Sequence, residues 1–310
     1  PFYLGSVTKQ ILSALQRRLR SETLAVIEKA REILPLQKFV IGDLQIVPLP
    51  ADHSAYDAAM FLISKGKKKV LFTGDFRLHG YRGGATEKII KKYVGKVDVL
   101  ITEGTLLSRP SAVLSEFDLQ ARIKPLLQKY KYVFVLCSSL NIDRLGTFHN
   151  NTPKGRYFIC DAFQKEIFTI AAKSSVSQYY KFEKALTYGT NLKLREQGFV
   201  MPIRQNDWFK SILTDYKDEP GAILLYSMWD GYLDGRDQEL LEFIAPFLAA
   251  DRFQILHTSG HATLEGIRQL VEWTRPDTII PMHTEAGHVL ANQGFASKVL
   301  CLADGKVYRF

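Results

Sequence analysis

A chain of 310 residues, 46% of them apolar, is long enough for one large or two interlocked domains. It contains no run of the roughly 18 apolar residues that a membrane-spanning helix needs. A formal charge of +9 and a pI of about 9.3 are more basic than most enzymes of small neutral substrates require, and point toward polyanions. Cys137, Cys160 and Cys301 lie in or beside apolar runs without metal-ligand spacing, and an odd number cannot pair completely. They read as reduced, buried thiols of a soluble, cytoplasmic protein.

The chain opens at Pro1 with the end of a strand and a turn, followed by an amphipathic pattern from Val7 to Ile33 that predicts one or two helices. Phe39 to Leu49 reads as a hairpin about Gly42-Asp43. The spacing predicts a short helix over Ala55 to Ser64, ended by the lysines of Lys65-Gly66-Lys67-Lys68-Lys69, then a strand to Thr73. A basic helix through Lys91 and Lys92 and a strand from Val97 to Thr102 follow. From residue 109 to about 250 a new alternation begins, with helices near Leu119 to Tyr130, Arg144 and Gln238 to Leu248, and strands at Tyr132 to Leu136, Tyr157 to Cys160 and Ile223 to Tyr226. It reads as a parallel-sheet domain inserted into the first. The chain returns to the first domain at Phe253, and Lys298 to Phe310 reads as a closing hairpin.

Five apolar runs end at an ionisable residue: Gln45 to Leu49 before His53, Val70 to Phe72 before Asp75, Val99 to Ile101 before Glu103, and the runs before His261 and His283. In layered α/β proteins such groups converge at one sheet edge, where sites are built. Histidine and aspartate are donors that zinc takes in catalytic sites, and a carboxylate such as Asp75 can bridge two ions.

These motifs resemble the metallo-β-lactamase superfamily and, within it, the β-CASP nucleases of the ribonuclease J and cleavage-and-polyadenylation type. Asp-His-Ser (His53), Thr-Gly-Asp-Phe (Asp75), Ile-Thr-Glu-Gly-Thr (Glu103), Ser-Gly-His-Ala (His261) and Ile-Pro-Met-His-Thr-Glu (His283) occur in the family's order. The resemblance implies an α/β protein: an αββα domain over 1–108 and 251–310, N-terminally incomplete, with a β-CASP domain over 109–250. It implies His53, Asp75 and His283 as metal ligands, two zinc ions in the complete enzyme, Asp75, Glu103 and His261 as catalytic, and Ser138, Ser139, Asn141, Arg144, Ser259 and Gly260 as substrate-binding. The implied activity is hydrolysis of RNA phosphodiester bonds, with His261 as general acid held by Glu103.

One departure stands out. The family's His-x-His-x-Asp-His loop is absent, and it would precede a segment that Pro1 to Gln10 resembles. The expectation is that the N-terminal part of the first domain has been cut off or belongs to another polypeptide, and that this chain alone cleaves poorly. Single-stranded RNA is the expected partner, ahead of DNA, because the RNA-processing members carry histidine at the position of His283. No membrane contact is expected, and a homodimer is compatible with the reading. The alternatives are an inactive β-CASP relative serving as an RNA-binding or scaffold subunit, and a DNA-processing nuclease of the same family.

Overall fold

Short apolar runs bounded by glycine or lysine turns become strands in the computed structural model, which describes residues 2–109, 113–189, 192–305, 307 and 309. The chain divides into two units: Pro1–Ser6 with Ala30–Val113 and Ser259–Phe310, and Val7–Lys29 with Leu114–Thr258. The helices Ser6–Leu19 and Thr23–Glu28 thus fall almost wholly with the second unit, not with the 1–108 segment of the expectation. The later boundary lies at Thr258 rather than 250.

The first unit is built on a seven-stranded sheet in the order Lys298–Val299, Thr278–Met282, Val99–Glu103, Lys68–Phe72, Ala59–Lys65, Leu44–Pro50 and Phe39–Ile41. The first four are parallel to one another and the remaining pairs are antiparallel. Leu62, Leu71, Leu100 and Ile279 are buried in one core with Ile90 of helix Gly83–Tyr93 and Ile267 and Leu270 of helix Leu264–Thr274. Fully burying such a side chain is worth about 1.5–3 kcal/mol, so this face fixes the register. Among the described residues the unit adds one two-stranded parallel ladder, Tyr3–Gly5 with Arg31–Ile33.

Register also sets the edge. Phe72 pairs with Ile101, and Ile101 with Ile280, so Asp75, Glu103 and His283 leave three neighbouring parallel strands at nearly the same level. Pro48 pairs with Phe61, which pairs with Phe72, so the strand leading to His53 ends at that edge too.

The second unit holds a six-stranded sheet, wholly parallel, in the order Ala185–Thr187, Tyr157–Cys160, Phe199–Ile203, Tyr132–Leu136, Ala222–Tyr226, Phe253–Ile255. Three of its four inner strands, at Phe199, Tyr132 and Ala222, are buried along their whole length, as expected where both faces of a parallel sheet are covered.

Cys137 and Cys160 are buried, but Cys301 is exposed against expectation. Four expectations of chain path also need correction. Ala59–Lys65 is a strand, not part of a helix: seven residues suffice for a strand, and its partners on both sides take up its backbone groups. The lysine-rich stretch is therefore a two-residue hairpin turn in which Gly66 takes φ +57°. Lys298–Val299 pairs in parallel with Thr278–Met282 and, among the described residues, with no part of its own tail; residues 306, 308 and 310 of the expected hairpin lie outside the described residues. Phe253–Ile255 belongs to the sheet of the second unit, so His261 is delivered by a loop and not by a strand of the first. Among the described residues, no helix is long and apolar enough to cross a membrane.

Candidate functional site

Asp75, Glu103, His261 and His283 come together in the first unit with donor atoms all within 4.8 Å of one another. They do not play equal parts. Glu103 is 1% exposed, and its Oε1 accepts from the N–H of Phe76 at 2.8 Å and of Ala262 at 3.2 Å, while Oε2 accepts from His261 Nδ1 at 3.0 Å. A carboxylate so filled by donors positions its neighbours and has little left for a metal. Burial raises the Glu103 pKa, but the His261 bond and charge and the Phe76 amide outweigh it, and the net shift is downward.

The same pair acts on His261 in the opposite sense. Burial lowers its pKa, yet the bond to Glu103 and the charges of Glu103 and Asp75 win, so the ring holds its second proton above the ordinary histidine value. Because a carboxylate only accepts, the shared proton sits on Nδ1 of His261, and the second is carried on Nε2. His283 donates from Nδ1 to Asp75 Oδ1 at 3.0 Å by the same logic. Thr105 Oγ1 lies 3.2 Å from His261 Nδ1 and 3.3 Å from His283 Nδ1, tying the two rings through one hydroxyl.

His53 stands beside this group, its ring centroid 5.2 Å from that of His261. Its Nδ1 donates to the carbonyl of Gly260 at 2.5 Å, so in the neutral ring Nε2 is the acceptor nitrogen, with the Ser54 hydroxyl 3.4 Å away. Burial lowers its pKa and keeps it neutral, although the Gly260 bond opposes the shift. A neutral imidazole with one nitrogen tied to a carbonyl is the form in which histidine serves as a metal ligand. The oxygen of Asp75 and the nitrogen of His283, both in the 4.8 Å cluster, are donors of the types zinc accepts, and His53 lies beside that cluster rather than in it.

The loop carrying His261 is clamped from beneath. Arg77 Nη1 at 3.2 Å and His79 Nε2 at 2.9 Å both donate to the carbonyl of Ser259, and the Ser259 hydroxyl accepts from the His261 amide at 3.1 Å. Arg77 is fully buried and paired with Asp52 at 3.1 Å; Arg82 Nη2 donates to the carbonyl of His53 at 2.8 Å. A Cβ at Gly260 would lie 2.5 Å from Ser54 Oγ and 3.0 Å from His53 Cε1, so only glycine lets the two histidine loops meet. His283 itself takes φ +53°, a left-handed conformation uncommon outside glycine. Residue types alone did not reveal Thr105, Arg77, His79 and Arg82 as parts of this assembly. The available signal was the run Asp75 to Arg82, dense in polar side chains directly after a strand.

The expected substrate residues fare differently. Ser259 and Gly260 lie in the His261 loop and shape it. In the second unit, Asn141 caps helix Ile142–Asn150 by accepting from the Arg144 amide at 3.2 Å, Ser138 Oγ accepts from the Leu140 amide, and Ser139 Oγ accepts from Arg204 at 3.0 Å. Arg144 requires correction as a substrate contact. Its guanidinium is fully buried, bonded to both oxygens of Glu116 at 3.2 and 3.0 Å, to Ser227 Oγ and to the Leu256 carbonyl, so it presents no surface to a phosphate.

Residues 248–293, which include His261 and His283, match the family model of a Zn-dependent metallo-hydrolase RNA specificity domain. The match supports the metallo-β-lactamase superfamily context of the motifs. The whole chain is similar in fold to a crystal structure described as that of a protein of unknown function from Enterococcus faecalis V583, with a TM-score of 0.76 and 20% sequence identity over 99% of this chain and 75% of that one. At that identity the likeness is one of fold.

Proposed function

We propose that this chain is a zinc-dependent metallo-hydrolase of the β-CASP type that cleaves phosphodiester bonds in single-stranded RNA. The observation that carries the reading is His261: a histidine held by Glu103, its pKa raised, beside a zinc-type donor set and inside the segment that matches an RNA-specificity model. Asp75, His283 and His53 would hold the metal. The chemistry zinc supplies in such a setting is activation of water near neutral pH and withdrawal of charge from a phosphoryl oxygen. His261 presents its Nε2 proton to the leaving oxygen, Glu103 fixes the ring and stabilises its charge, and the Arg77–His79 clamp keeps the loop in place. The basic balance of the chain favours a polyanionic substrate.

The test pairs metal uptake with cleavage of end-labelled single-stranded RNA. His261→Ala should keep its zinc, measured after dialysis, and lose about 10²–10⁴-fold in rate. Asp75→Ala and His283→Ala should lose the zinc. Cleavage that survives a chelator, or that His261→Ala leaves intact, would sink the reading. A second reading, an RNA-binding subunit that does not cut, draws on the small donor set among the described residues: three ligands serve one ion, not the pair that clamps both oxygens. RNA bound tightly by the zinc-loaded chain and never cut would favour it.

A further inference from the structure

The second unit carries a surface cavity of about 490 Å³ lined by Arg18, Asp161, Ala162, Asn206, Asp207 and Trp208, a size that suits a nucleotide. Its walls are specific. Asp161 and Asn206 cap the helices Ala162–Ser174 and Asp207–Tyr216, accepting from the Gln164 and Phe209 amides, so neither helix start offers those N–H groups to a ligand. Asp161 is further neutralised by Arg204, whose guanidinium lies over the rings of Phe163 and Phe209 at 5.5 and 5.3 Å. What remains for a ligand is Trp208, Arg18 and the exposed carboxylate of Asp207.

Trp208 is 43% exposed, which is unusual for the largest aromatic side chain. Its ring neighbours, Tyr188 and Phe209, meet it at interplanar angles of 87° and 62°, so neither lies flat on the indole. Arg18 is held over the Phe163 ring at 5.2 Å, and among the described residues no protein acceptor takes its N–H groups. An indole without a parallel partner beside an anchored guanidinium is the pairing that single-strand binders use, stacking a base and holding its phosphate. Asp207 adds an acceptor for a base N–H or amino group, and its charge weighs against a bare anion as the occupant.

We infer that this cavity seats one nucleotide of a single-stranded RNA, its base stacked on Trp208 and its phosphate on Arg18. The inference rests on RNA being the substrate and adds a contact in the second unit. The experiment is fluorescence anisotropy of a labelled single-stranded oligoribonucleotide with the full chain in chelator, which prevents cleavage. Trp208→Ala should weaken binding about tenfold or more, Trp208→Phe should keep most of the affinity, and Arg18→Ala should weaken it and flatten the salt dependence by about one unit of slope. Duplex RNA, whose bases are already stacked, should bind the wild type and Trp208→Ala alike. If single-stranded RNA binds both equally, the cavity is not the contact and the RNA reading stands untouched. If the wild type binds no single-stranded RNA, the RNA reading falls and takes the inference with it.

Discussion

His257 and His261 are four residues apart, both rings are largely withdrawn from water, and their protons behave oppositely. His257, at the end of the parallel-sheet unit, has its pKa pushed down to about 4 by burial and then by the charge of Arg144, and its buried Nδ1 has no hydrogen-bond partner. His261, in the unit of the metal-type donors, is buried to a similar degree and shifted upward because Glu103 outweighs the burial. Burial lowers the pKa in both places, and the charge beside each ring decides the outcome: Arg144 adds to the fall at His257 and Glu103 reverses it at His261. A histidine's position in the sequence says nothing about which it will be.

The comparison breaks most violently at Arg144. Arg144→Ala leaves Glu116 buried without its partner, and should cost about 3–5 kcal/mol in urea unfolding while His257 titrates closer to an ordinary imidazole. A loss below about 1 kcal/mol would mean that Glu116 is not an ionised interior group.

Glu103→Gln attacks the other member. The raised pKa of His261 means that its proton stabilises the fold fully below the ordinary value of 6.5, and that this share is lost as pH climbs through the folded value. Removing the carboxylate should lower the His261 titration seen by NMR, move the alkaline limb of RNA cleavage to lower pH, and cost about 1–3 kcal/mol because His261 Nδ1–H would face an amide NH2 in place of Oε2. An unmoved His261 resonance would show that Glu103 does not set its charge.

For His257 the sign reverses. The unfolded ring takes a proton near 6.5 that the folded ring refuses until about 4, so stability should decline as pH falls through that window. His257→Asn should flatten that decline in acid unfolding curves and leave stability at pH 8 little changed.

Much of this architecture was legible beforehand for a physical reason. Continuous apolar runs such as Tyr132–Leu136 and Tyr157–Cys160, bounded by turns, have few alternatives to a buried strand. Ala59–Lys65 was misread because a short apolar run has no period that separates strand from helix, and only pairing decides. Asp75, Glu103 and His283 could be anticipated from strand ends, since register is local arithmetic, whereas His261 arrives on a loop that no strand of its own unit delivers. Arg144 and the Arg77–His79 clamp could not, because whether an arginine faces solvent or a buried acceptor depends on a carboxylate 28 residues away in one case and a backbone carbonyl 182 residues away in the other.

The left-handed backbone at His283 sets two kinds of selection against each other. A non-glycine residue held there stores about 1–3 kcal/mol of strain, and asparagine tolerates the same conformation more easily. With both proteins scanned in chelator, His283→Asn should therefore melt a little higher than the wild type while failing to take up zinc when it is restored, so a search for heat resistance in the metal-free protein would discard the side chain that a search for activity would keep.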